Sequence, residues 1–132
     1  MDVSEMQKRL SGMAEKNPAH QFEDLYSLLC NEVWLRVAHH TVNSNKGRET
    51  AGIDGQTMRD FNRDQEGHLE ELRQLLKTET FEPVPVRRQY IPKPDGRKRP
   101  LGIPTIKDRI VQEGLRMILE PIWEEAQLPR YS

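Results

Sequence analysis

Apolar residues recur every three or four positions in several stretches of the chain, and alternate with polar ones in a single stretch near its middle. Met6, Leu10 and Met13 have helical spacing in an otherwise polar opening segment. Asn17 can cap free amide groups and Pro18 suits a first helical position, so a helix is expected from there to about His40. Its apolar face would be Phe22, Leu25, Tyr26, Leu29, Val33 and Val37. Two short helices follow over Thr57 to Arg63 and Gln65 to Thr78, the second marked by Leu69, Leu72, Leu75 and Leu76.

A closing helix over about 105–125 carries Ile106, Ile110, Val111, Leu115, Ile118, Leu119 and Ile122. It opens on a Thr105-x-x-Asp108 capping box, carries Arg109–Glu113 and Arg116–Glu120 pairs on its exposed side, and should kink or stop at Pro121.

Between these helices the periodicity changes. Asn43 to Gly55 has three glycines, two asparagines and no apolar period, which predicts an exposed loop. Pro83 and Pro85 end helical structure, and Val86 to Ile91 alternates as a strand, with Arg87 and Arg88 on opposite faces. Pro94-Asp95-Gly96 is turn chemistry, so Arg97 to Ile103 returns as the second strand of a hairpin over about 86–103. Pro92 and Pro100 lack a ladder donor and suit its edges. The expected fold is α+β, mostly helical with one antiparallel β-hairpin, organised as a helical segment with a loop (1–56) and a helix–hairpin–helix segment (57–132).

Composition bounds this picture. Leu, Ile, Val and Phe make up about 23 % of 132 residues, enough for a thin core. Cys30 is the only cysteine, which excludes a disulfide framework and a cysteine-based zinc site within the chain. No apolar run reaches the roughly 20 residues needed to span a bilayer, and the opening MDVSEMQKRL has acids where a signal peptide would be apolar. A cytoplasmic protein with no membrane contact is expected.

Charge changes the picture more. The chain's net charge is −1, yet eight of its 20 Lys and Arg residues fall between Arg87 and Arg109, against Asp95 and Asp108 alone. That window carries +6, while residues 1–86 carry −5 and residues 110–132 carry −2. Fields are screened over about 10 Å, so a polyanion meets this local excess and not the average.

The blocks Arg87-Arg88, Ile91-Pro92-Lys93-Pro94-Asp95-Gly96, Arg99-Pro100-Leu101-Gly102-Ile103-Pro104-Thr105 and Asp108-Arg109 resemble the fingers region of group II intron-encoded reverse transcriptases (maturases). Leu25-Tyr26, Trp34-Leu35, Asn45-Lys46-Gly47 and Ala51-Gly52-Ile53-Asp54-Gly55 resemble the amino-terminal extension ahead of those fingers. The likeness runs from about Phe22 to Glu124.

It implies that Lys93 and Arg99 face the phosphates of an incoming nucleotide and that Arg87 meets the template strand. Arg88, Arg97 and Lys98 on the hairpin, and Lys46, Arg48 and Gly52 in the loop with Gly47 and Gly55, would join the nucleic-acid surface. Implied partners are RNA or an RNA/DNA primer-template and, in the full enzyme, a deoxynucleoside triphosphate.

Each residue also has a plainer reading. Lys93 and Arg99 can be guards of a solvated hairpin edge, Arg87 and Arg88 partners of the acidic helices, and residues 43–55 a connector. Asp108 reads as a helix cap, His39 and His40 as surface histidines, and Trp34, Trp123 and Tyr90 as packing residues.

Nucleotidyl transfer needs two metal ions clamped by carboxylates, and the family supplies them from a palm with a Tyr-x-Asp-Asp turn. That turn does not occur here, and Pro129 to Ser132 fall about where the family continues toward its palm. The chain is expected to hold substrates without joining them: no catalytic, metal or cofactor residue of its own, with Mg²⁺ expected for the full enzyme. The alternatives are a stand-alone RNA-binding or self-assembling module, with a homodimer replacing palm contacts, and a decayed gene product.

Overall fold

Among the residues described by the computed structural model (2–13 and 22–125, with side chains of 2–11 and 25–122), six helices surround one apolar cluster and a two-stranded sheet projects beside them. The elements are α1 (Val3–Met13), α2 (Phe22–Leu29), α3 (Glu32–Asn43), α4 (Met58–Asn62), α5 (Gln65–Lys77), β1 (Arg87–Pro92), β2 (Lys98–Ile103) and α6 (Ile106–Glu125). The Asn17-Pro18 start lies outside the described residues, as do the side chains of Phe22 and Trp123.

The single helix expected up to His40 is two. Asn31 takes an extended backbone, and its side-chain oxygen accepts from the amides of Val33 (2.9 Å) and Trp34 (3.2 Å), capping a new helix. The break rotates the buried face. Trp34, Leu35, Ala38, His39 and Val42 point inward, while Val33, expected in the stripe, is exposed.

Leu10, Leu29, Trp34, Phe61, Leu72 and Ile110, one from each helix, join a single core that draws on both halves of the sequence. Trp34 is fully buried and its indole N–H donates to the Gly114 carbonyl at 3.0 Å, as a buried indole must find an acceptor. His39 corrects the surface reading: it is buried, stacked on Phe61 and 2.7 Å from Asn62 Oδ1, while His40 is exposed.

Pro121 does not end α6, which continues to Glu125. A proline lacks the N–H that would bond the carbonyl four residues back, here that of Met117. Gln7 of α1 donates its side-chain amide to that carbonyl at 3.0 Å, and Ser11 donates to the Pro121 carbonyl at 3.3 Å. The packing of α1 on α6 supplies the donor that the proline removed. Leu115, expected in the apolar stripe, is 41 % exposed.

β1 and β2 pair antiparallel from Arg87↔Ile103 to Pro92↔Lys98, one residue later at each start than the alternation suggested. The turn is closed by Lys93 N donating to the Arg97 carbonyl (2.6 Å) and Gly96 N donating to the Lys93 carbonyl (3.1 Å), with Gly96 at φ +86. Directly opposite residues share a face. Arg87, Gln89, Ile91, Arg99, Leu101 and Ile103 therefore form an inner face toward α3 and α6; Arg88, Tyr90, Pro92, Lys98, Pro100 and Gly102 form an outer one.

Candidate phosphate and nucleic-acid site

Three elements meet at the hairpin's inner face: the 44–57 loop, the start of α6, and the strands themselves. Thr105 caps α6 as expected, its Oγ1 accepting from the Asp108 amide (3.1 Å), while the Asp108 carboxylate takes the Thr105 hydroxyl at Oδ2 (2.9 Å) in place of the backbone amide of a full capping box. Both are buried. The same carboxylate oxygen accepts from the Val84 amide at 3.1 Å, so Asp108 also ties the approach to β1 onto α6. This contact spans 24 residues and has no signature in local spacing.

Arg109 corrects the expected pair with Glu113. Its guanidinium turns to three carbonyls instead, those of Pro104 (3.0 Å), Gly47 (2.9 Å) and Thr50 (2.5 Å), while Glu113 pairs with Arg116 at 2.5 Å. Burial holds Arg109 below the usual arginine range, opposed by the charge of Asp54. Carbonyl dipoles solvate its charge without cancelling it, so the wall that it forms stays positive. Arg116 also pairs with Glu120, as expected.

Arg87 adds a further tie to the loop, its Nε donating to the Ala51 carbonyl at 3.0 Å, in place of the alternative bridge to acidic helices. Gly52 is buried beneath α6: a Cβ there would lie 2.7 Å from both the amide nitrogen and the Cα of Thr105. It seats the loop and offers no outward surface. Gly52→Ala is expected to cost about 1–3 kcal/mol, because the atoms in the way are backbone. Urea denaturation checks this, and an unchanged midpoint would show that the loop is not seated as described.

Together these contacts leave an open groove of about 430 Å³, lined by Val42, Asn45, Gly47, Thr50, Gln89, Ile91, Leu101, Gly102, Ile103, Pro104 and Arg109. Its walls are mainly apolar, with Asn45 and Gln89 as amide groups and Arg109 as the charge.

Above it stands the hairpin tip. Lys93 opens the turn, Arg99 pairs with Ile91 on the inner face, and Lys98 pairs with Pro92 on the outer. Lys46, Arg87, Arg88, Lys93, Lys98 and Arg99 are all exposed, and among the described residues none is within 4.0 Å of a carboxylate. Arg48 meets Glu49 at 3.3 Å and Arg97 meets Asp95 at 4.0 Å.

Tyr90, expected to pack, is 60 % exposed. Among the described residues no group of three His, Cys, Asp or Glu side chains is placed to hold a metal ion, and no helix is long and apolar enough to cross a membrane.

No protein-family model matches the chain. It is 40 % identical over 124 residues to Protein YkfC of Escherichia coli, covering 94 % of this chain and 32 % of that protein. It is 41 % identical over 118 residues to the group II intron-encoded protein LtrA of Lactococcus lactis subsp. cremoris, covering 89 % and 19 %. It is 33 % identical over 124 residues to the putative COX1/OXI3 intron 1 protein of Saccharomyces cerevisiae, covering 94 % and 14 %. The chain thus spans a third or less of the length of these relatives. The likeness read from the hairpin blocks holds along nearly the whole sequence, and the chain is a homologue of group II intron-encoded proteins.

Proposed function

We propose that the chain is the template- and nucleotide-binding fingers portion of an RNA-directed DNA polymerase of the group II intron type. Residues 1–56 serve as the amino-terminal extension and template-side loop, and residues 57–132 as the fingers-like part. Lys93 and Arg99 take the phosphates of the incoming deoxynucleotide. Arg87, Arg88, Arg97 and Lys98, with Lys46 and Arg48, line the path of the nucleic acid, and Gly52 holds the loop that carries that path.

One observation supports this most directly: six exposed cations on one hairpin and its neighbouring loop have no acidic partner among the described residues. Cations left at such density without carboxylates repel one another and attract a polyanion.

Metal chemistry belongs elsewhere in this reading. The carboxylates that hold the magnesium ions of nucleotidyl transfer would lie in the rest of the full enzyme, and among the described residues no group of three His, Cys, Asp or Glu side chains is placed to hold a metal ion. The chain alone grips its ligands in the cytoplasm, where its RNA would be, and forms no bond.

Titration of a labelled primer-template at rising salt tests the reading. Log affinity is expected to fall linearly with log salt, by roughly 0.9 for each phosphate contacted. A flat salt response would reject phosphate binding, and primer extension by this chain with Mg²⁺ would overturn its inactivity.

A second reading, a self-assembling RNA-binding module, draws on one feature. A groove of about 680 Å³ between Tyr26, Leu29, Phe81, Pro83, Val111 and Leu115 leaves apolar surface open. Light scattering separates the two, since a homodimer at micromolar concentration would favour the module.

A further inference from the structure

The outer face of the hairpin has an arrangement that the inner groove does not explain. A large ring in the middle of a strand is normally covered by side chains across and diagonal to it. Tyr90 faces Pro100 directly, and its diagonal neighbours are Gly102, which has no side chain, and Lys98, whose charged end seeks water. The register therefore leaves the Tyr90 side chain 60 % exposed, with Val86 filling the space over Gly102.

On the same face Arg88 lies two residues along the strand and Lys98 lies diagonally on the other side, each about 7 Å away by strand geometry. Both cations are exposed and neither has a carboxylate within 4.0 Å among the described residues. Val86, Pro92 and Pro100 complete the face, so it carries no acid.

We infer that this face, centred on Tyr90, is a second docking surface for single-stranded nucleic acid, separate from the inner groove. A base stacks on the phenol ring, which every base can do through its π-face, while Arg88 and Lys98 hold the phosphates on either side. Charge decides the occupant: an acid-free face with a cation on each side of an open ring is complementary to an anionic strand bearing flat bases. The inference rests on the chain's binding nucleic acid, and adds that it does so on both faces of one hairpin.

The test compares the whole chain with Tyr90→Ala and Tyr90→Phe on an unstructured RNA of about 12 nucleotides and on an abasic phosphodiester strand of equal length. Tyr90→Ala is expected to weaken RNA binding about tenfold and leave abasic binding unchanged, with Tyr90→Phe near wild type. Circular dichroism checks folding, which an exposed ring should not disturb.

Equal RNA affinity for wild type and Tyr90→Ala overturns the second surface and leaves the inner site standing. An equal loss on both strands also overturns it. A Tyr90-dependent dimer in sedimentation, without effect on RNA, assigns the face to a second copy instead. If the wild-type chain binds neither strand at low salt, the nucleic-acid reading itself falls and takes this one with it.

Discussion

Replacing Asp108 by alanine is expected to lower the unfolding free energy by about 2–5 kcal/mol, because two donors lose one acceptor at once. Its Oδ2 receives both the buried Thr105 hydroxyl and the part-buried Val84 amide. A buried donor left unsatisfied costs roughly 1–3 kcal/mol, and the tie from residue 84 to α6 is lost as well. Small domains hold only about 5–15 kcal/mol in total, so the loss is a large share.

Asp108→Asn keeps one acceptor oxygen and should fall between wild type and alanine. Glu82→Ala, at an exposed position, should stay within about 0.5 kcal/mol of wild type. Urea unfolding of the three variants measures this. If Asp108→Ala matched Glu82→Ala, the carboxylate could not be the latch between hairpin and helix.

Changing Lys93 and Arg99 together to alanine is expected to weaken RNA or triphosphate binding by at least about a hundredfold at low salt, from two charge-assisted contacts worth roughly 1.5–3 kcal/mol each. The salt slope should shrink by about two, one for each lost phosphate contact. Both side chains are exposed and neither supports the core, so the melting curve should not move. Arg97→Ala should do less, since its guanidinium already has Asp95 at 4.0 Å. Undiminished affinity in the double variant would remove both residues from the site, whereas a lower melting temperature would give them a structural role.

The order of elements was legible because each one advertises itself locally. Leu69, Leu72 and Leu76 mark a buried helical stripe, and all three are buried in α5. Thr105 and Asp108 announce a cap and form one. Pro94-Asp95-Gly96 announces a turn, and Gly96 takes the positive φ that it requires.

Two misreadings share a cause: the competing partner lay far away in sequence. Arg109 has Glu113 one helical turn on, yet it chose loop carbonyls 59 and 62 residues away. Pro121 should end a helix, but Gln7, 110 residues before Met117, supplies a donor to the Met117 carbonyl left free. Asn31 was hidden by an apolar stripe that runs through it, since the helix break preserves the spacing of three and four.

Local chemistry in the chain was thus enough to determine the α+β character, the hairpin with its excess of positive charge, and the family likeness, because spacing, turn residues and charge act over a few residues. Tertiary packing alone decided which cations face the groove, why Gly52 admits no side chain, how Arg109 braces the loop and why Tyr90 stands uncovered. Those outcomes depend on strand register and on contacts between segments dozens of residues apart, where steric fit and the need to satisfy buried donors and acceptors overrule any local preference.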